Sequence, residues 1–304
     1  MGNVPFMVGI GFYTECEFTV QQLFFIRNPG EELAMLQHLK DKLDASTHLV
    51  SYNGRTFDWP ILKNRYVINR LEPLEDCLLH LDFLYPSRSL WKSTLPSCRL
   101  SKVEEARLGF FSVRMMCGSL APALYFQYLA ENDATLIEGV FVHNEYDILS
   151  LAGLAIHFGL LLQGEVIFSD MHPDEIYRTG AWLERMGRKE QAEDAFQYLM
   201  DHSASYKAGG YQLLLAQHYK KKTDYERAVA LWRGYVDEKH AAPSAVIEPY
   251  IELSMFYEHR AKDFRSALKY AQWALDRLWK RQSLSRPAKG INNLEAVREL
   301  EKKD

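Results

Sequence analysis

Leu49-Val50-Ser51-Tyr52 is a short apolar run, and Asn53-Gly54 follows it directly as a turn signal. Apolar residues then recur at helical spacing: Phe57, Ile61, Leu62 and Tyr66. A strand that turns straight into a helix commits this part of the chain to α/β packing, with loops at the strand ends free to carry chemistry. Asp58 falls at the mouth of that helix. A carboxylate there is either an N-cap or a metal ligand, and the spacing alone leaves both open.

The neighbouring segments keep the alternation. Phe6–Phe12 and Gln22–Ile26 read as a hairpin, with Glu15 and Glu17 as solvated residues at its turn. Leu33, Leu36, Leu39 and Leu43 mark an amphipathic helix over Glu31–Leu43, and Leu81–Leu84 reads as a further strand. Gly118–Ala130 reads as a helix entered through Pro122, its Leu124, Tyr125, Tyr128 and Leu129 serving packing. A second polar segment, His143-Asn144-Glu145-Tyr146-Asp147, opens a long apolar helix to about Leu162. Residues four apart share a helix face, so His143 and Asp147 can address one ligand, with Asp147 expected in the first helical turn.

In order and spacing, the Asp58 and His143/Asp147 segments resemble the second and third motifs of the DEDD-type exonucleases of the ribonuclease-H-like superfamily. They are most similar to a YprB-type branch in which tetratricopeptide repeats follow the nuclease domain. The resemblance covers roughly residues 4–162, including His80–Trp91. It implies an α/β domain, a mixed sheet flanked by helices, and two-metal hydrolysis of phosphodiesters at single-stranded 3′ ends. Hard Mg²⁺ or Mn²⁺ would take carboxylate oxygens. Asp58 and Asp147 correspond to metal ligands, and His143 to the group that orients and deprotonates the attacking water. The His143 spacing is that of tyrosine-type relatives, while its residue type is that of histidine-type ones. Asp82 supports this site from one remove or pairs with an arginine. Arg55, Asn53, Arg88, Lys92 and Arg99 are candidates for nucleic-acid contact, the alternative being ordinary surface charge.

The family's Asp-x-Glu pair, carried on its first strand, has no counterpart here. Met1-Gly2-Asn3-Val4-Pro5-Phe6 resembles the loop leading into the second strand. Loss of a central strand would expose unpaired backbone groups. The expectation is therefore a truncated copy (a fragment, a miscalled start or a decayed gene) with the first strand missing and little or no nuclease activity. Relatives would also carry acidic residues and a proline where this chain has Arg114-Met115-Met116-Cys117-Gly118.

From about Asp174 the pattern is helical throughout. Gly180–Phe196, Ala216–Trp232 and Leu253–Ala271 align on Ala192, Ala228 and Ala267, which lie 36 and 39 residues apart. That is near the roughly 34 of a tetratricopeptide repeat, so an all-α array with a surface for a protein partner is expected. The expected organisation is a ribonuclease-H-like domain over 1–165, repeats over 172–279, and a polar tail over 280–304 with a short helix near Asn293–Lys302. Residues 1–170 hold 13 Lys and Arg against 20 Asp and Glu, so charge gives nucleic-acid binding no independent support. Cys16, Cys77, Cys98 and Cys117 lack paired metal or redox spacing, which suits free thiols in a reducing cytoplasm. No stretch is expected to cross a membrane.

Overall fold

The computed structural model describes residues 4–24, 29–72, 74, 78–109, 120–207, 209–240, 242 and 245–284. Phe25 and Ile26 of the second expected strand, Cys77, residues 110–119 and the tail beyond Leu284 lie outside them. The chain forms two compact units, Met1–Leu199 and Met200–Asp304.

In the first unit, β1 (Met7–Tyr13) and β2 (Phe18–Phe24) form the expected hairpin, antiparallel and in register from Met7↔Phe24 to Tyr13↔Phe18. Glu15 and Glu17 are exposed at its turn, which Thr14 closes by donating its amide to the Glu17 carbonyl at 2.8 Å. The helix α1 (Glu32–Asp44) then leads to β3 (His48–Ser51). The helix α2 (Asp58–Ile68) crosses over to β4 (Leu79–Asp82), which pairs parallel with β3 from His48↔Leu79 to Ser51↔Asp82. Among the described residues these are two separate two-stranded sheets, where a single mixed sheet is expected from sequence. No described strand bonds to both β1 and β3, so a shared core joins the pairs instead.

That core is built by period. Phe6, just ahead of β1, and Val8 and Ile10 within it alternate inward, and Met35, Leu36, Leu39 and Leu43 line one face of α1. They meet Tyr66 of α2, whose hydroxyl donates to the Leu36 carbonyl at 2.5 Å. Tyr125 and Tyr128 of the later helix α5 (Ala121–Glu131) close the same core, the Tyr125 ring stacked on Phe6 at 4.4 Å. These aromatics pack, as expected.

Between β4 and α5 (Ala121–Glu131) lie two elements that the periodicity does not announce, α3 (Leu84–Trp91) and α4 (Leu100–Val103). A π turn, Glu104–Leu108, continues α4. Leu84 therefore opens a helix instead of ending a strand. The long helix α6 runs Thr135–Gln163, starting well before His143. Asp133 opens it by accepting from the Thr135 amide (3.0 Å) and hydroxyl (2.7 Å), and buried Ile137 and Val140 extend its apolar stripe upstream. His143 and Asp147 thus sit in its interior, not in its first turn.

Gly9 and Gly11 place α6 against the hairpin. A Cβ at Gly9 would stand 2.0 Å from Asn144 Oδ1 and 2.5 Å from Ile148 Cδ1, and one at Gly11 2.6 Å from Ile148 Cγ2. Gln22 fixes the register by donating Nε2 to the Phe141 carbonyl (2.7 Å) and Asn144 Oδ1 (3.1 Å). By length and composition α6 also passes for a membrane-crossing helix, contrary to expectation. Its charges gather at and before Asp147, which leaves a long apolar remainder. Leu154, Phe158 and Leu161 of that remainder are buried in the protein.

Three helix pairs follow: α7 (Pro173–Arg185) with α8 (Lys189–Asp201), α9 (Gly210–Lys221) with α10 (Tyr225–Lys239), and α11 (Glu248–Phe256) with α12 (Phe264–Leu284). The first pair falls almost wholly in the first unit and the others in the second. Ala192, Ala228 and Ala267 are all buried, each in the second helix of its pair. Close approach is enforced at Gly180 of α7, where a Cβ would lie 2.6 Å from the fully buried Phe196 ring. Gly180→Val is expected to lower stability by about 2 kcal/mol or more through overpacking. It would be read as a lower urea midpoint; an unchanged midpoint would mean that α7 and α8 separate freely.

Candidate functional site

Two polar clusters carry the residues singled out from sequence. The first forms where β3 and β4 end. Asn53 takes a left-handed conformation (φ 64°), which turns the chain out of β3. The buried Asp82 carboxylate then accepts from the amides of Asn53 (2.7 Å), Arg55 (3.1 Å) and Leu84 (3.1 Å). Its partners are backbone amides, not an arginine, and through them it fixes the turn that delivers Asp58. Such a charge-assisted set satisfies the carboxylate while pinning three segments together.

Asp58 is the first residue of α2; the N-cap position belongs to Phe57, without a side-chain cap bond. The capping alternative therefore falls away. Gly54 leaves room for the carboxylate, since a Cβ there would be 3.3 Å from Asp58 Oδ2 and 2.7 Å from Ser51. Asp58 keeps a solvent-facing side, yet the surrounding protein displaces enough water to raise its pKa; its own amide opposes this and the Asp82 charge adds to it. His80, on β4 beside Asp82, meets Ser51 Oγ at 2.7 Å and the Trp59 ring edge-on at 5.8 Å. Burial holds the imidazole below its usual pKa, so it is neutral at physiological pH.

The second cluster lies on α6. His143 Nε2 stands 3.6 Å from Asp147 Oδ2, as the i, i+4 spacing anticipates. Loss of hydration raises the Asp147 pKa against the opposing pull of His143. Sequence reasoning missed the third member, Glu104, which opens the π turn after α4. It is 8% exposed, bonds to Ser150, and interacts electrostatically with Asp147 and His143, while its buried Oε1 has no partner. Burial raises its pKa as well, and Asp147 adds to the effect. The Val103-Glu104-Glu105 sequence resembles any exposed acidic turn; only the π geometry turns Glu104 inward.

The donors are carboxylate oxygens, which suit a hard divalent cation in kind. In number they do not close a site: no three His, Cys, Asp or Glu side chains among the described residues converge to hold a metal ion. Arg55, Asn53, Arg88, Lys92 and Arg99 are all exposed, on the β3–α2 turn, on α3 or just beyond it. Cys16 and Cys98 are free thiols, and Cys77 and Cys117 lie outside the described residues.

The raised values have a stability consequence. Asp58, Glu104 and Asp147 hold protons more tightly folded than unfolded, so each contributes stability that is complete below its unfolded value of 3.8 or 4.5. That contribution is lost as pH rises through the higher folded value. Glu32 works oppositely: burial would raise its pKa, but hydrogen bonds from Arg65 and Asn69 outweigh it, and its contribution is lost only on acidification. His80 works against them, because an imidazole held below its usual value adds stability as pH rises. The test is therefore a difference: as pH rises from about 4, the urea midpoint of the unaltered chain is expected to fall relative to that of Glu104→Gln. Midpoints that stay parallel would refute the raised Glu104 value.

An α/β domain with acidic side chains at strand ends and on an adjoining helix is the frame of a nuclease-like fold. The chain belongs to the ribonuclease H superfamily, whose family model matches residues 1–158. It is 33% identical over 276 residues to "Uncharacterized protein YprB" of Bacillus subtilis (strain 168), covering 90% of this chain and 65% of that protein. The chain thus spans just under two thirds of the length of the curated relative it matches. No solved structure matches it.

Proposed function

We propose that this chain carries the core of a 3′–5′ exonuclease acting on single-stranded nucleic acid, within a ribonuclease-H-like domain over about 1–165. The single observation that carries the reading is the His143–Asp147 pair on α6, 3.6 Å apart, seated against a hairpin of the superfamily domain. Two divalent cations, Mg²⁺ or Mn²⁺, would activate water and neutralise the scissile phosphate when bound. Of this chain's residues, Asp58 and Asp147 would hold them and His143 would accept the proton of the attacking water. Asp82 would act by fixing the turn beneath Asp58. Arg55, Asn53, Arg88, Lys92 and Arg99 would meet the strand, in a cytoplasmic setting.

With only these acidic ligands the chain by itself is expected to hydrolyse little, because fewer anionic groups bind Mg²⁺ weakly. The test is release of nucleotides from a 5′-labelled oligonucleotide, with Mn²⁺ and with EDTA. A ladder shortened from the 3′ end only with Mn²⁺ would support the exonuclease chemistry and overturn the inactivity. No ladder from this chain, nor from a version supplied with an Asp-x-Glu strand, would overturn the exonuclease reading.

A second reading is a tetratricopeptide-like scaffold over 172–279. It is favoured by Phe264, Leu268, Leu275, Leu278 and Trp279, which leave apolar surface exposed along α12. Capture of a protein partner that survives Asp58→Ala and Asp147→Ala would support it.

A further inference from the structure

A groove of about 480 Å³ lies between α3 and α7 in the first unit, away from the residues assigned above except Arg88. Its floor is apolar, made by Pro86, Trp182 and the half-exposed Tyr85 and Met186. Arg88 stands on the α3 side and Arg185 on the α7 side, both exposed, and no acidic side chain lines the groove. Arg185 Nε donates to the Ala181 carbonyl of its own helix at 3.3 Å, which steadies the side chain at the rim.

The groove is preformed. Trp91 Nε1 donates to Glu175 Oε1 at 2.8 Å, and Arg107 to Glu175 Oε2 at 2.7 Å, so buried Glu175 fastens α7 to α3. Arg178 Nε adds a bond to Ser93 Oγ at 2.7 Å, and Trp182 packs on Phe158 of α6. A ligand entering there would not bear the cost of ordering the walls. The chain links the groove to the Asp82-held turn: α3 starts there, and Arg88 follows Asp82 by about 9 Å at helical rise.

Two cationic heads beside an apolar, aromatic floor match a molecule with a planar apolar body and negative charge on its backbone. A single-stranded nucleic acid has both, with bases that stack on aromatic side chains and phosphates that suit guanidinium groups. We propose that the α3–α7 groove is a strand-binding subsite, in which Tyr85 stacks a base and Arg88 and Arg185 hold phosphates. The inference rests on the nuclease reading and extends it, because Arg185 lies beyond the 158 residues that the superfamily model covers. The helical region would then share in holding the substrate.

The test is fluorescence anisotropy of a labelled oligothymidylate in EDTA, where no hydrolysis intervenes, at several salt concentrations. Arg185→Ala, Arg88→Ala, the double variant and Tyr85→Ala are compared with the unaltered chain, and thermal melts verify folding. Each single substitution is expected to weaken binding roughly tenfold. The double variant should reduce the slope of log K against log salt by about 1.4, that of two phosphates on a single strand. Binding by the unaltered chain that Arg185→Ala and Tyr85→Ala leave unchanged would overturn the subsite while the nuclease reading stands. No oligonucleotide binding by the unaltered chain would likewise overturn the subsite, the nuclease reading being decided by the nucleotide-release assay. A polyglutamate peptide that displaces the oligonucleotide at equal concentration would overturn the assignment to nucleic acid.

Discussion

Asp147→Ala, in a version of the chain supplied with an Asp-x-Glu strand ahead of β1, is expected to abolish Mn²⁺-dependent nucleotide release. A loss on the order of a thousandfold or more corresponds to about 4 kcal/mol of barrier. The same substitution should leave folding intact or improve it. Burial raises the Asp147 pKa more than the pull of His143 lowers it, so its removal relieves a desolvated charge at the loss of a weaker pairing with His143. Activity and stability thus move in different directions, which a merely structural aspartate would not produce. His143→Ala should lower turnover with a smaller effect on Mn²⁺ binding, because the imidazole is assigned to the proton and not to the metal. Full activity in Asp147→Ala would remove the site assignment.

The second large effect concerns α1 and α2. Glu32 is 2% exposed and receives both Arg65 Nε (2.6 Å) and an Arg65 terminal nitrogen (2.5 Å), with Asn69 Nδ2 at 3.0 Å. Arg65→Ala strands an anion in the interior with one neutral donor left. The expected cost is about 3–5 kcal/mol, a large part of the roughly 5–15 kcal/mol that holds a domain folded. Replacing both partners by apolar residues, as in Glu32→Leu with Arg65→Met, should restore most of it, since the penalty comes from the unpaired charge. Urea midpoints of the three proteins decide the matter. A loss under about 1 kcal/mol in Arg65→Ala would mean that water reaches Glu32 and the pair behaves as a surface bridge.

What could be read from sequence was what depends on short-range pattern. The period-two run of β1, the Leu36/Leu39/Leu43 stripe of α1 and the i, i+4 pairing of His143 with Asp147 are local, and each is found in the structure. Errors arose where tertiary partners decide. Leu81–Leu84 was expected to be a strand, yet Asp82 bonds the Leu84 amide and starts α3 there. The sequence pattern places the start of α6 near His143 because Asn144 and Glu145 interrupt its stripe, while Asp133 opens the helix upstream. Glu104 was invisible because an acidic residue is ordinarily exposed, and only a π turn brings it beside Asp147. Asp82 was singled out, but its bonds to three amides could not be foreseen from spacing.

The bare stretch of backbone at Gly9 and Gly11 has a consequence for how this molecule tolerates change. Because α6 rests on main chain there, any side chain added acts as a shim under the helix that bears His143 and Asp147. Asn144 and Ile148 would have to yield, at a stability cost of the kind expected at Gly180, and the pair would shift with them. Misplacement of about 1 Å is enough to cost a hundredfold in rate. A loss of function can therefore enter through the back of the hairpin, with none of the site's own residues replaced.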